Sequence, residues 1–302
     1  MRESVVVDTG SQQAIRSQVA RVLRDVGAKN PPVSLENVRQ VLDLDLRYYS
    51  ISDTGLLSEV AHQARLLAHR DLPHLVSRLK TSLKKIELLA FWVPAQRRVL
   101  VDETLPETKR RWVVGHEIGH SIVPWHRDFL FGDDSATLDP ACHEVIEAEA
   151  NFAAGELLFM QDAFTSDARD LPGTFASIQS LAKRYDTSYT STLRRFVERR
   201  DPGVPAVGLV SAAPRRGDVI PGMNSSPRHF LRSPAFTLRF PNVLPHDLHD
   251  LVCGHTTAAR GGLLASAVVT LPDVNGEGWA FSMECFSNTY DVLTYAEIVG
   301  RA

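Results

Sequence analysis

The sequence predicts an α+β chain: a mostly helical N-terminal unit carrying a small antiparallel sheet, a helical hairpin resembling a helix-turn-helix, and a C-terminal α+β domain. Three observations predict it. Apolar residues recur at helical spacing through most of residues 10–200, short aromatic and branched runs interrupt them near positions 46, 88 and 98, and the composition shifts at Asp201-Pro202-Gly203-Val204-Pro205 to Pro, Gly and strand-like runs. We place the first unit at 1–165 with a helical insertion at 52–87, the helix-turn-helix-like segment at 166–202, and the C-terminal domain at 203–302.

Bulk composition narrows the classes. The chain has 302 residues, 44% hydrophobic and 23% charged, an ordinary globular balance able to bury a core. A formal charge of −3 gives no global electrostatic case for nucleic acid or an anionic membrane. The three cysteines, Cys142, Cys253 and Cys285, form no CxxC pair, which points to a reducing compartment and away from a cysteine-built metal site. No signal-peptide core follows Met1, and nowhere do roughly 18 apolar residues run together, so the expectation is a cytoplasmic protein with no membrane span.

In chain order, Ile15, Val19, Val22, Leu23 and Val26 mark a first amphipathic helix, stopped by Gly27 and Pro31-Pro32. Ser34 caps a second helix carrying Leu35, Val38, Val41 and Leu42. Leu46 to Ile51, Leu88 to Val93 and Arg98 to Asp102 read as strands. Within the intervening stretch, His62, His69 and His74 share no certain helical face and are read as ordinary residues. Leu105-Pro106 turns the chain into a helix whose Val114, Ile118 and Ile122 form an apolar face, ended by Pro124. A loop at 127–141 precedes a helix from Cys142 to Met160. Two short helices flank Asp186-Thr187-Ser188, with Ser188 capping the second. Beyond residue 203, Ala206 to Val210, Phe236 to Phe240, Leu263 to Leu271 and Gly278 to Phe286 read as strands, with a short helix around Tyr290 to Val299. His246, His249 and His255 fall among turns in that reading, without ligand spacing.

The chemistry concentrates in His116-Glu117-Ile118-Gly119-His120. Residues four apart on a helix differ by about 40°, so both imidazoles project from one face and can share a metal ion, while Glu117 beside them can take a proton from a metal-bound water. The third ligand has competing candidates. His126 would complete the longer HExxHxxGxxH pattern, but Val123 stands where that pattern needs a glycine conformation that a β-branched residue disfavours. On the following helix, about 100° per residue places His143 and Glu147 inside the apolar arc, with Glu144 and Glu149 outside it. A carboxylate on a packed face needs a partner, and a metal ion would be one; this favours Glu147, with Glu149 as the lesser option.

The Arg98 to Asp102 strand, Leu105-Pro106, the basic run Lys109-Arg110-Arg111 before His116-Glu117-Ile118-Gly119-His120, and Glu147-Ala148-Glu149-Ala150-Asn151-Phe152-Ala153-Ala154-Gly155-Glu156-Leu157-Leu158 together resemble the ImmA/IrrE family of metallopeptidases over roughly residues 10 to 200. Alignment on that family's E-x-x-A-N-x-x-A-x-x-L-L pattern also selects Glu147. The resemblance implies a zincin-like, cytoplasmic zinc endopeptidase with Zn2+ on His116, His120 and Glu147 and Glu117 as general base. It further implies cleavage of a helix-turn-helix transcriptional repressor, release of stress-response or mobile-element genes, and a GAF-like C-terminal domain open to a small-molecule or other signal. The chain departs from the pattern in its 52–87 insertion and in Phe159-Met160-Gln161, where Met-Pro is common.

Two competing functions belong to other classes. In one, residues 175–199 touch nucleic acid or sense a ligand and the metal site is structural or vestigial, with Lys183, Arg184, Arg194, Arg195, Arg199 and Arg200 as the basic patch. In the other, His143 or His126 closes the metal's coordination as a fourth ligand and the site is purely structural.

Overall fold

The computed structural model describes residues 6–49, 90–93, 96–126, 140–213, 226–256 and 261–302. The insertion at 52–87 with His62, His69 and His74, most of the 127–141 loop and the His143 side chain lie outside that description. The chain divides into two compact units, Glu3–Gln161 and Asp162–Ala302.

The first unit opens with α1 (Thr9–Asp25), whose Asp8 carboxylate accepts from Ser11 N at 3.0 Å and whose Ile15, Val19, Val22 and Leu23 are buried. Gly27, at φ 68°, takes the left-handed conformation that lets the chain leave the helix. Helix α2 (Leu35–Val41) is capped by Ser34, as its sequence predicts. Strands β1 (Asp45–Tyr49), β2 (Ala90–Val93) and β3 (Arg98–Asp102) form a sheet in the order β1-β3-β2. Its centre is the fully buried run Val99-Leu100-Val101. The expectation of an antiparallel sheet is corrected here: β2 pairs antiparallel with β3, but β1 pairs parallel with it. A parallel pair cannot be joined by a tight hairpin turn, and β1 and β3 lie far apart in the sequence.

Among the described residues this unit also holds α3 (Glu107–Ile122) and α4 (Pro140–Leu158). Helix α4 also packs against α1, where the buried Glu156 meets Arg16 at 2.8 Å. Helix α3 stops at Ile122, two residues before Pro124.

The second unit holds α5 (Asp162–Arg169), the hairpin α6 (Phe175–Tyr185) and α7 (Tyr189–Arg199), and a five-stranded antiparallel sheet. Its strands, β4 (Ala206–Ala212), β5 (Pro227–Arg232), β6 (Gly262–Pro272), β7 (Gly278–Ser287) and β8 (Asp291–Arg301), run in the order β5-β4-β8-β7-β6. Helices α8 (Pro234–Arg239) and α9 (Pro245–His255) contribute Phe236, Leu248 and Val252 to a core shared with Val207, Phe281 and Met283.

Three expectations in this unit are overturned. The Tyr290–Val299 segment is strand β8, not a helix, because neighbours on both edges pair with its branched and aromatic residues and hold it extended. Phe236 lies in a helix, because Ser233 caps Phe236 N at 3.1 Å and Pro234 presets the first turn. His246, His249 and His255 share helix α9 instead of lying among turns. No helix among the described residues is long and apolar enough to cross a membrane.

Candidate metal centre

Helix α3 is pinned by its basic residues, with Arg110 donating to Leu105 O and Glu103 O and Arg111 to Val33 O. Val114, Ile118 and Ile122 face the core as their spacing predicts. Small residues set the approach of α4: a Cβ on Gly115 would meet Leu158 Cδ1 at 2.9 Å, and one on Gly119 would meet the Ala150 carbonyl oxygen at 2.6 Å. These two glycines directly precede the motif's two histidines, so α4 lies close against α3 where His116 and His120 project.

The structure brings three of the sequence-predicted residues together. His116 Nε2 lies 3.2 Å from His120 Nε2, 3.2 Å from Glu147 Oε2, and His120 Nε2 is 3.6 Å from Glu147 Oε1. Among the described residues, His116, His120 and Glu147 are the group able to hold a metal ion. Their spacing fits one: metal–nitrogen bonds of about 2.0–2.1 Å at tetrahedral angles separate two nitrogens by about 3.3 Å. The proton inventory fits as well. His116 Nδ1 lies 3.1 Å from Asn151 Oδ1, an acceptor, which keeps the proton on Nδ1 and leaves the Nε2 lone pair turned to Glu147.

Glu117 is buried beside this group. Burial pushes its carboxyl up to about 7, with the Glu147 charge adding to the rise and the His116 charge and a backbone hydrogen bond from Trp92 opposing it. Burial alone would lower His116, but the Glu147 hydrogen bond and the Glu117 and Glu147 charges outweigh it and raise it. The Trp92 contact brings β2 to the site, and Tyr49 of β1 senses the Glu117 charge: burial first, then Asp102 and Glu117, push its phenol up to about 12.

Glu147 occupies the predicted position for a reason that differs from the predicted one. Its side chain is 42% exposed, whereas Glu149, assigned by periodicity to the outside, is 5% exposed. The wheel assumes one packed face. The Trp125-His126 turn covers a second: Trp125 Nε1 donates to Glu149 Oε2 at 2.6 Å, and His126 Nε2 lies 2.9 Å from the same oxygen. Glu147 opens instead onto the space shared with the two histidines.

His126 is fully buried and stands outside the metal-ligand group. Its Nδ1 is 3.1 Å from His120 Nδ1 and its Nε2 is taken by Glu149, so both nitrogens are engaged away from Glu147. Val123 adopts φ −82°, not the positive φ that a glycine would supply. Trp125 and Asn151 are neighbours that the sequence left without a role, and Glu149, its lesser ligand option, instead holds Trp125 and His126.

The predicted basic patch is largely committed within its own unit. Arg195 is buried, and Arg200 donates to Glu297. Arg184 pairs with Asp167 at 2.8 Å and Arg194 with Glu198 at 3.5 Å.

Residues 70–197 match the Peptidase_M78 family, described as the IrrE N-terminal-like domain. The chain is 27% identical over 119 residues to the radiation response metalloprotease IrrE of Deinococcus radiodurans, covering 39% of this chain and 36% of the relative. It is 27% identical over 125 residues to the protein of that name in Deinococcus deserti, covering 41% of this chain and 44% of the relative. The match thus spans less than half of either relative. In fold, it is similar to a Mycobacterium tuberculosis transcriptional regulator, with a TM-score of 0.50 and 12% identity over 97% of this chain and 88% of that one.

Proposed function

We propose that this chain, whose residues 70–197 match the IrrE N-terminal-like domain, is a zinc-dependent endopeptidase of the ImmA/IrrE family acting on a protein substrate, a helix-turn-helix transcriptional repressor. The observation that carries the reading is the convergence of His116 Nε2, His120 Nε2 and the Glu147 carboxylate, with Glu117 buried alongside. His116, His120 and Glu147 would hold Zn2+. When bound, that ion supplies Lewis acidity, acidifying water and polarising a carbonyl.

Glu117 does the proton work. Its carboxylate takes the proton of the attacking water and later returns it to the leaving amine, from a buried position beside the three ligands. Asn151 orients His116 through Nδ1. Cleaving the repressor would release stress-response or mobile-element genes, in keeping with the radiation response named for the Deinococcus relatives. Residues 203–302 are read as a GAF-like sensor domain, and the α6–α7 hairpin as helix-turn-helix-like.

The test combines metal analysis with proteolysis. Purified protein is expected to carry one zinc and to cleave the helix-turn-helix repressor encoded nearest its gene, with cleavage stopped by a chelator. Glu117→Gln is expected to keep the zinc and lose about 10²–10⁴-fold in rate. Absence of stoichiometric zinc, or undiminished cleavage by Glu117→Gln, would overturn the reading.

A further inference from the structure

Both ring nitrogens of His120 have neighbours. Nε2 faces His116 Nε2 at 3.2 Å and Glu147 Oε1 at 3.6 Å, while Nδ1 lies 3.1 Å from His126 Nδ1. Two imidazole nitrogens share a hydrogen bond only when one carries a proton and the other is bare. The far end of the chain of contacts decides which. Trp125 Nε1 can only donate, and it reaches Glu149 Oε2 at 2.6 Å. The same oxygen is 2.9 Å from His126 Nε2. A carboxylate accepts, so His126 carries its proton on Nε2 and its Nδ1 is bare. His120 must then donate from Nδ1, and its Nε2 lone pair is left on the side of Glu147.

We propose that Trp125, Glu149 and His126 form a positioning relay that fixes His120 as the Nδ1-protonated tautomer and so presents its Nε2 to a divalent cation. The relay rests on the metal-binding role proposed above for His116, His120 and Glu147. Two of its members sit where water cannot substitute for them, with His126 at 0% exposure and Glu149 at 4%, and the His120 ring they orient is at 6%, while Trp125 is half-buried. A carboxylate acting through imidazole also raises the basicity of the ligand nitrogen and holds the ring plane. None of this comes from the HExxH pentapeptide: it depends on the turn after α3 and on an acid two residues beyond Glu147. The two ligand histidines are therefore oriented by different devices, a single amide for His116 and a buried acid–imidazole pair for His120.

Zinc affinity of the full chain, measured by competition with a chromophoric chelator, tests the relay without reference to hydrolysis. His126→Phe, which keeps a buried ring and removes both nitrogens, is expected to bind zinc about 10–100-fold more weakly. His126→Asn, whose Oδ1 can accept in place of Nδ1, is expected to retain more affinity than His126→Phe. A packing role predicts the opposite order, so Phe equal to or better than Asn overturns the proposal. His116→Ala is the control for the site: wild-type affinity in both His116→Ala and His126→Phe overturns the metal site and the relay together, whereas loss in His116→Ala alone overturns only the relay. Histidine ¹⁵N NMR of the wild type supplies a readout independent of any variant's folding. It should show His120 protonated at Nδ1 and His126 at Nε2, and a proton on His126 Nδ1 overturns the relay.

Discussion

Gly119 faces Ala150 so closely that a methyl group added to its Cα would sit 2.6 Å from the Ala150 carbonyl oxygen and 3.3 Å from Ala154 N. Backbone cannot swing aside as a side chain does. Gly119→Ala should therefore push α3 and α4 apart, at about 1–3 kcal/mol of stability, and weaken metal binding by spreading His120 from Glu147. Urea denaturation and chelator competition measure the two effects. A variant unchanged in both would show that the helices do not depend on this approach.

In metal-free protein, Glu117 links stability to pH. Its folded value of about 7 stands above the ordinary 4.5, because burial penalises the charged form. The folded state then holds the proton more tightly, so the contribution is complete below about 4.5 and is lost as pH rises through about 7. Metal-free Glu117→Gln should match wild type near pH 4.5 and exceed it above pH 8 by on the order of 3 kcal/mol. Denaturation of both proteins in chelator across that range is the check, and a constant difference would refute it.

Asn151 supports His116 from α4. Removing its oxygen in Asn151→Leu should lower zinc affinity about tenfold, while Asn151→Asp, which keeps an acceptor at the 3.1 Å position, should bind at least as tightly as wild type. Equal affinities for the Leu and Asp variants would mean that His116 is oriented by something else.

In the second unit, Glu297 accepts from both Arg200 and Tyr295, and a Cβ on Gly173 would lie 2.7 Å from its Oε2. Glu297→Ala should cost about 2–3 kcal/mol, since hydrogen bonds to charged groups are among the stronger ones. The fluorescence of Trp279, on β7 in the same unit, can follow the transition. An unfolding midpoint at the wild-type denaturant concentration would count against this network.

The sequence made local features legible. The cap at Ser34, the stop at Gly27, the apolar face of α3 and the pairing of His116 with His120 all depend on residues within a turn or two of one another. Features that depend on partners distant in sequence were not legible. Strand β8 is held extended by β4 and β7, so its own periodicity misleads. The direction of β1 is seen only in its pairing with β3, distant in sequence. Helical periodicity selected Glu147 while misjudging its neighbour, since burial of Glu149 comes from Trp125 and His126 folding over α4. A wheel drawn on one helix has no knowledge of the turn that ends another.

Every side chain assigned to the candidate centre falls between His116 and Asn151, inside the unit that ends at Gln161. A metal held by these residues would therefore draw on one continuous stretch of the sequence. The half that starts at Asp162 supplies none of the side chains assigned to that centre.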